Sequence, residues 1–174
     1  QYADGARHIY GYDFPDGLRK NTALPAAIVT PTTKAHEGAH DEPISCAGVV
    51  AEGLVDAALW EQVQAAGLAL FARGLQAAER AGLILADTKY EFGLAVDTGE
   101  LLLIDEVHTP DSSRYWVADS YESRLAAGEE PESLDKELVR RALIDLGYRG
   151  DGAPPELPSH VVAAASARYA SAYE

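Results

Sequence analysis

Leu83-Ile84-Leu85-Ala86-Asp87-Thr88-Lys89-Tyr90-Glu91-Phe92-Gly93-Leu94 is the stretch on which the reading of this chain turns. Its first four residues are a continuous apolar run, the pattern of a buried strand. From Asp87 the pattern alternates: Asp87, Lys89, Glu91 and Gly93 fall on one face, Thr88, Tyr90, Phe92 and Leu94 on the other. Asp97-Thr98-Gly99 follows as a turn signal, and Leu101-Leu102-Leu103-Ile104-Asp105-Glu106 as a second strand. The pair predicts an antiparallel β-hairpin.

The register of that hairpin decides its chemistry. A two-residue turn at Thr98-Gly99 pairs Asp97 with Glu100 and sets Glu91 opposite Glu106. A three-residue loop with Gly99 in the left-handed conformation pairs Val96 with Glu100 and sets Glu91 opposite Asp105. Two carboxylates placed so close repel unless a cation lies between them. The expectation is therefore the three-residue loop, with Mg²⁺ shared by Glu91 and Asp105. Side chains emerging on opposite faces would defeat it. The plainer reading of three charges on one strand face is a solvated surface.

Outward from the hairpin, helices are expected on both sides. Ser45 can cap a short helix over 46–52, and Asp56 a long one over 57–81 that ends at Gly82. On the long helix Trp60, Val63, Gly67, Leu70 and Phe71 form one apolar stripe, so it reads as a scaffold that packs on a sheet. Residues 1–45 read as extended and irregular, punctuated by Pro15, Pro25, Pro31 and Pro43. After Pro110, Asp111-Ser112-Ser113-Arg114-Tyr115-Trp116 reads as a loop. Asp119 or Ser120 can start a helix over 121–127, Ser133 or Asp135 one that ends at Gly147, and Ser159 a last one to Tyr173. The division expected is a loop-rich segment 1–45, an α+β core 46–116 and a helical region 117–174.

Composition bounds the partners. The chain has 174 residues, 47% of them hydrophobic, with 14 basic residues against 28 acidic ones and a formal net charge of −14. That supports one good core, and it excludes a disordered chain. The acidic balance argues against nucleic acid, and no apolar run is long enough for a membrane helix. One Cys cannot form an internal disulfide, so the cytoplasm is the expected compartment. The absence of any Met suggests that Gln1 is not the original start.

Three other patterns need weighing. His36-Glu37-Gly38-Ala39-His40 matches the H-E-x-x-H zinc pattern, but that motif needs a continuous helix, and Gly38, Pro31 and Pro43 argue against one. The hydroxyls and guanidinium of Asp111-Ser112-Ser113-Arg114 suit a phosphate or carboxylate, or else an ordinary capping turn. Cys46 has no His pattern near it and reads as a small buried residue.

The stretch from Leu85 to Gly93 resembles the second signature of the SAICAR synthetase family, the phosphoribosylaminoimidazole-succinocarboxamide synthases. The resemblance continues through Gly99-Glu100-Leu101-Leu102-Leu103-Ile104-Asp105-Glu106-Val107 and Thr109-Pro110-Asp111-Ser112-Ser113-Arg114-Tyr115-Trp116. Upstream, Phe14-Pro15-Asp16-Gly17-Leu18, Thr30-Pro31-Thr32-Thr33-Lys34 and His40-Asp41-Glu42 with Ile44-Ser45 are similar to its middle region. Downstream, Ser133-Leu134-Asp135-Lys136 with Arg140 resembles its D-K-x-x-x-R helix. The match covers essentially the whole chain. The family's N-terminal β-rich lobe, with its nucleotide-covering loop, has no counterpart in these residues.

The resemblance implies an α+β fold. A mostly antiparallel sheet, with the 87–106 hairpin at its centre, packs on the long helix and carries C-terminal helices. This is the larger lobe of a two-lobed, kinase-like or ATP-grasp-like enzyme. It implies an ATP-dependent ligase of purine biosynthesis that joins L-aspartate to carboxyaminoimidazole ribonucleotide through an acyl phosphate. By resemblance, Glu91 and Asp105 hold Mg²⁺ and the ATP phosphates, and Lys89 neutralises a substrate anion. Asp87 and Asp41 contact the imidazole amine or the ribotide. Ser113 and Arg114 bind the ribotide phosphate, Asp111 orients their loop, and Lys34 is a further anion contact. Asp135, Lys136 and Arg140 form a second tier. The missing lobe is the expected partner, and the chain alone is expected to be inactive. The alternatives are a related ligase with another amine acceptor, and a non-catalytic remnant that binds nucleotide or a partner.

Overall fold

The computed structural model describes residues 1–33, 41–134, 136–150 and 152–173. These fall into two compact units, Gln1–Leu70 and Phe71–Glu174, divided within one long helix.

In the first unit, strands β1 (His8–Ile9) and β2 (Tyr12–Asp13) form a small antiparallel hairpin. Its two-residue turn has Tyr10 at φ 56° and Gly11 at φ 88°, the doubly left-handed geometry that matches strand twist. The rest of the stretch before residue 34 has the irregular character expected from its prolines, apart from a bridge between Thr32 and Pro43. Helix α1 (Cys46–Ala51) starts as predicted, with the Ser45 hydroxyl accepting from the Gly48 amide at 2.9 Å. Cys46 is half-buried and its Sγ contacts the Val29 carbonyl at 3.6 Å, in keeping with a packed thiol.

Helix α2 (Ala57–Arg80) also starts where the sequence placed it. The Asp56 carboxylate accepts from the amides of Ala58 and Leu59, satisfying donors the first turn cannot pair. Gly82, at φ 70°, turns the chain out of the helix.

The second unit holds the sheet structure. Strands β3 (Leu83–Thr88) and β6 (Ser113–Val117) pair antiparallel, as do β4 (Phe92–Leu94) and β5 (Leu101–Leu103). The β3–β6 ladder packs on the C-terminal half of α2. Ala78, Leu85 and Tyr115 form its buried centre, flanked by Phe71, Leu83 and Leu134. Helix α3 (Ala118–Ala127) follows β6 directly and ends at Gly128, φ 73°. Trp116 stacks on Tyr121 across that junction, with centroids 5.7 Å apart. Helices α4 (Glu137–Asp145) and α5 (Ser159–Tyr173) pack on each other. Among the described residues no helix is long and apolar enough to cross a membrane.

Four expectations need correction. First, the predicted strand from residue 83 is interrupted at 89–91, and its first half pairs with β6 and not with the hairpin. Second, the segment read as a loop is a strand from Ser113 onward. Local polarity suggested a loop, but Tyr115 finds a buried place opposite Leu85.

Third, the hairpin register differs from both alternatives. Phe92 pairs with Leu103, Gly93 with Leu102 and Leu94 with Leu101. The amide of Ala95 donates to the Glu100 carbonyl, and that of Gly99 to the Ala95 carbonyl, so residues 96–99 form a four-residue loop. Gly99 is left-handed at φ 70°, as predicted, but the extra loop residue brings Ile104, not Asp105, opposite Glu91. Fourth, α3 has its capping position at Val117, without the predicted side-chain cap; the capping position of α4 is Lys136, and the predicted Asp135 lies outside the described residues.

Candidate functional site

The β3–β6 ladder sets the site through one irregularity. Leu83, Ile84 and Leu85 face Val117, Trp116 and Tyr115, but the next partners are Asp87 with Arg114 and Thr88 with Ser113. Ala86 is thus the extra residue of a β-bulge, and it reverses the facing of everything after it. Without it Asp87 would share the buried face of Leu85. With it, Thr88 joins that face and Asp87 turns outward opposite Arg114. Their ion pair spans 3.3 Å, both partners being exposed.

The ladder continues one step further, where the Lys89 amide donates to the Ser112 carbonyl at 3.0 Å. Beyond it the Lys89 ammonium lies 2.6 Å from the Glu91 carboxylate, two residues on and on the same face. Two acid–base pairs therefore flank the end of β3. Pairs this open contribute ~0–1 kcal/mol to stability, so they hold little of the fold together and can exchange partners cheaply.

Ser113 is only 5% exposed, and its hydroxyl lies 2.8 Å from that of Thr88 and 3.3 Å from that of Ser112. Beside Arg114, the more accessible hydroxyl belongs to Ser112. The Thr109 hydroxyl accepts from the Ser112 amide and donates to the Glu106 carboxylate, closing the turn. Asp111 lies 3.4 Å from the Lys136 ammonium. Asp111, Lys136 and Arg140 line one cavity of about 560 Å³, together with Leu143, Tyr148 and Tyr169. Arg140 is itself paired with Glu137 at 3.0 Å.

The structure thus brings together Asp87 with Arg114, Lys89 with Glu91, and Asp111 with Lys136 and Arg140. Asp105 sits exposed in a bend after β5, past the hairpin's last backbone bond from Ile104 to Glu91. Among the described residues there is no cluster of three or more His, Cys, Asp or Glu that could hold a metal ion. The donors present are hard carboxylate oxygens, one or two in number. That set fits Mg²⁺, which completes its shell with water and phosphate oxygens. Asp41 is exposed in the first unit. Lys34, Asp135 and the H-E-x-x-H stretch 36–40 lie outside the described residues.

The sequence reading missed a half-buried cluster under the site. The Tyr90 hydroxyl lies 2.5 Å from His108 Nε2, and the Tyr115 hydroxyl donates to the His108 carbonyl at 2.7 Å. Burial pushes the Tyr90 hydroxyl up to about 12, with the nearby Tyr115 adding to the shift. Burial likewise raises Tyr115 and lowers His108, because it disfavours the charged form of each. One signal was available. Gly74 lies inside a long helix, where glycine costs stability unless something approaches closely. A Cβ there would stand 2.5 Å from His108 Cε1.

Comparison with known proteins places these residues in a family setting. The SAICAR synthetase family profile matches residues 1–156. A putative phosphoribosylaminoimidazole-succinocarboxamide synthase 2 of Mesorhizobium japonicum is 49% identical over 174 residues, which is all of this chain and 55% of that protein. A phosphoribosylaminoimidazole-succinocarboxamide synthase of Legionella pneumophila is 45% identical over 176 residues, again 55% of its length. The chain therefore spans about half the length of the relatives it matches. The solved SAICAR synthase of Saccharomyces cerevisiae, complexed with SAICAR, superposes with a TM-score of 0.79 at 36% identity. That match covers 99% of this chain and 53% of the yeast one. A SAICAR synthetase in complex with ADP superposes over 80% of this chain with a TM-score of 0.57 at 26% identity.

Proposed function

We propose, from the premise that the chain belongs to the SAICAR synthetase family, that it is the larger catalytic part of an ATP-dependent ligase. The reaction joins the amine of L-aspartate to the carboxylate of carboxyaminoimidazole ribonucleotide. ATP phosphorylates that carboxylate, giving ADP and an acyl phosphate. The amine attacks the acyl carbon, the amide forms and phosphate leaves.

The observation that carries this reading is the two acid–base pairs at the end of β3, Asp87–Arg114 and Lys89–Glu91. Phosphoryl transfer needs positive charge aimed at a spreading anion. In a chain of net charge −14, cations presented bare would be hard to keep near carboxylates. Pairing solves this: each cation waits on an acid that can be given up when an anionic substrate arrives.

Glu91 would hold Mg²⁺, with Asp105 reaching it from the bend after β5 and outside the ladder register, and the ion would supply positive charge against the phosphates. With Glu91 so engaged, Lys89 is released toward the substrate carboxylate. Arg114 turns to the ribotide phosphate with a serine hydroxyl beside it, Ser112 being the more accessible one and Ser113 needing to leave Thr88. Asp87 then orients the imidazole amine. Asp111 orients the loop, and Lys136 and Arg140 line the adjoining cavity for a further anionic group. Asp41, Lys34 and Asp135 complete the proposed set. The core over 46–116 would carry the chemistry, residues 1–45 would lead to the N-terminal lobe, and the cytoplasm is the compartment such a reaction suits.

The test is ADP formation by the purified protein with ATP, Mg²⁺, the ribotide and aspartate, omitting each in turn. Glu91→Gln and Lys89→Ala are each expected to lower turnover ~10²–10³-fold, the range for removing one charge-stabilising group. Another amine used far better than aspartate would remove the specific assignment. A second reading, a binding remnant without turnover, is favoured by the exposed apolar side chains of the β4–β5 hairpin. For a chain of 18.6 kDa the absence of ADP release is expected of either reading; no ADP release from a protein heavier by a whole lobe would select the remnant.

A further inference from the structure

We infer that His108 is a positioning residue that holds the connector carrying Asp105 and Glu106 against the segment carrying Lys89 and Glu91. The inference rests on the functional reading above only in giving those four residues a ligand.

The connector runs over 104–112, between β5 and β6, without regular structure. His108 ties its middle to three other elements. Its Nε2 meets the Tyr90 hydroxyl at 2.5 Å, and Tyr90 lies between Lys89 and Glu91. Its carbonyl accepts from Tyr115, the neighbour of Arg114 in β6. Its ring lies against the backbone of α2 at Gly74, so closely that a methyl group there would collide with it. The Tyr90 and His108 rings also meet edge to face, with centroids 5.6 Å apart.

The backbone agrees with the side chain. His108 has φ 56°, in the left-handed region, one of three non-glycine residues so placed among those described. Histidine is among the few side chains that enter that region readily, and such conformations persist only where surrounding contacts hold them. Here the contacts are Tyr90, Tyr115 and Gly74. The ring is half-buried beneath the connector and engaged on Nε2, so its part is to hold the acids in place and not to touch the ligand. A connector fixed in advance spares the ordering cost that ligand binding would otherwise carry.

The test uses the full chain with Mg²⁺·ADP as probe. Three quantities are read: affinity by calorimetry, the melting midpoint, and amide hydrogen exchange across 104–112. Tyr90→Phe removes only the hydroxyl. His108→Asn keeps a side chain that accepts the left-handed backbone but cannot reach Tyr90. Each is expected to weaken Mg²⁺·ADP binding ~10-fold and to speed exchange in 104–112 by a similar factor, as loss of a supporting partner does. The double variant is expected to be no worse than His108→Asn alone, because that variant has already lost the bond to the Tyr90 hydroxyl. Melting should move little in Tyr90→Phe.

Unchanged affinity and exchange in Tyr90→Phe would overturn the inference. So would affinity losses that merely follow the melting midpoint across the variants, since that is what general destabilisation does. If the unsubstituted chain binds no Mg²⁺·ADP, it is the functional reading that fails for this chain. Exchange across 104–112 then decides the clamp by itself, and protection equal to that of the unsubstituted chain overturns it.

Discussion

The two antiparallel ladders of the second unit draw on similar residues and end in opposite environments. In β3–β6, Leu85 is 2% exposed and faces the buried Tyr115, because α2 covers that side. In the β4–β5 hairpin, Leu94 is 49% exposed and Ile104 59%. A two-stranded hairpin is marginal in water without a covering layer. The first ladder is therefore held by packing and the second by its turn and backbone bonds. The proposed chemistry sits where they meet, at residues 87–91 and 104–114.

The largest effect that could break this contrast is expected at Leu85. Leu85→Ala should cost ~2–5 kcal/mol in denaturant unfolding, as for a fully buried leucine. A cost near that of a surface change would mean that β3–β6 is not the packed ladder.

Gly74→Ala comes next. On propensity alone alanine should stabilise a helix interior, by ~1 kcal/mol. Here the added methyl meets His108 and Leu85, so a loss of ~1–3 kcal/mol from overpacking is expected instead. A gain in stability would show that His108 does not seat on α2.

The junction between the ladders should also respond to pH at both ends. Folding raises Tyr90, so the folded chain holds that proton more tightly, and stability should fall as pH rises from about 10 toward 12. Folding lowers His108, so its contribution is present above about 6.5 and is lost as pH falls below that. Thermal melts across both windows check this, with Tyr90→Phe flattening the alkaline limb and His108→Asn the acid one.

The smallest effects belong to the exposed ladder and its charges. Ile104→Ala should cost less than ~0.5–1 kcal/mol, and breaking the Lys89–Glu91 pair ~0–1 kcal/mol. A cost at Ile104 as large as that at Leu85 would show that the hairpin carries a covered face in solution.

These contrasts explain what was legible in the chain itself. The starts of α1 and α2 were, because Ser45 and Asp56 act on amides two or three residues away. The exposure of Asp87 and Lys89 was too, since both follow the bulge two residues apart. The bulge at Ala86 was not, because an apolar run reads the same with or without an extra residue. Nor was the pairing of β3 with β6, which lie far apart in sequence and meet only because α2 buries Leu85 and Tyr115 together. The hairpin register failed by one residue for a related reason. Turn chemistry located Gly99 in its left-handed state but could not count the loop, and little burial on either face selects one register over another.

The sequence by itself determined the family, the candidate charges and the caps of α1 and α2, all of which depend on residue identity or on neighbours within a turn. Only the tertiary structure decided which charges meet. Asp87 with Arg114, Asp111 with Lys136, and His108 with Tyr90 and Gly74 are contacts across the chain. Their geometry follows from how one helix and one bulged ladder bury their apolar faces, and no local pattern records that.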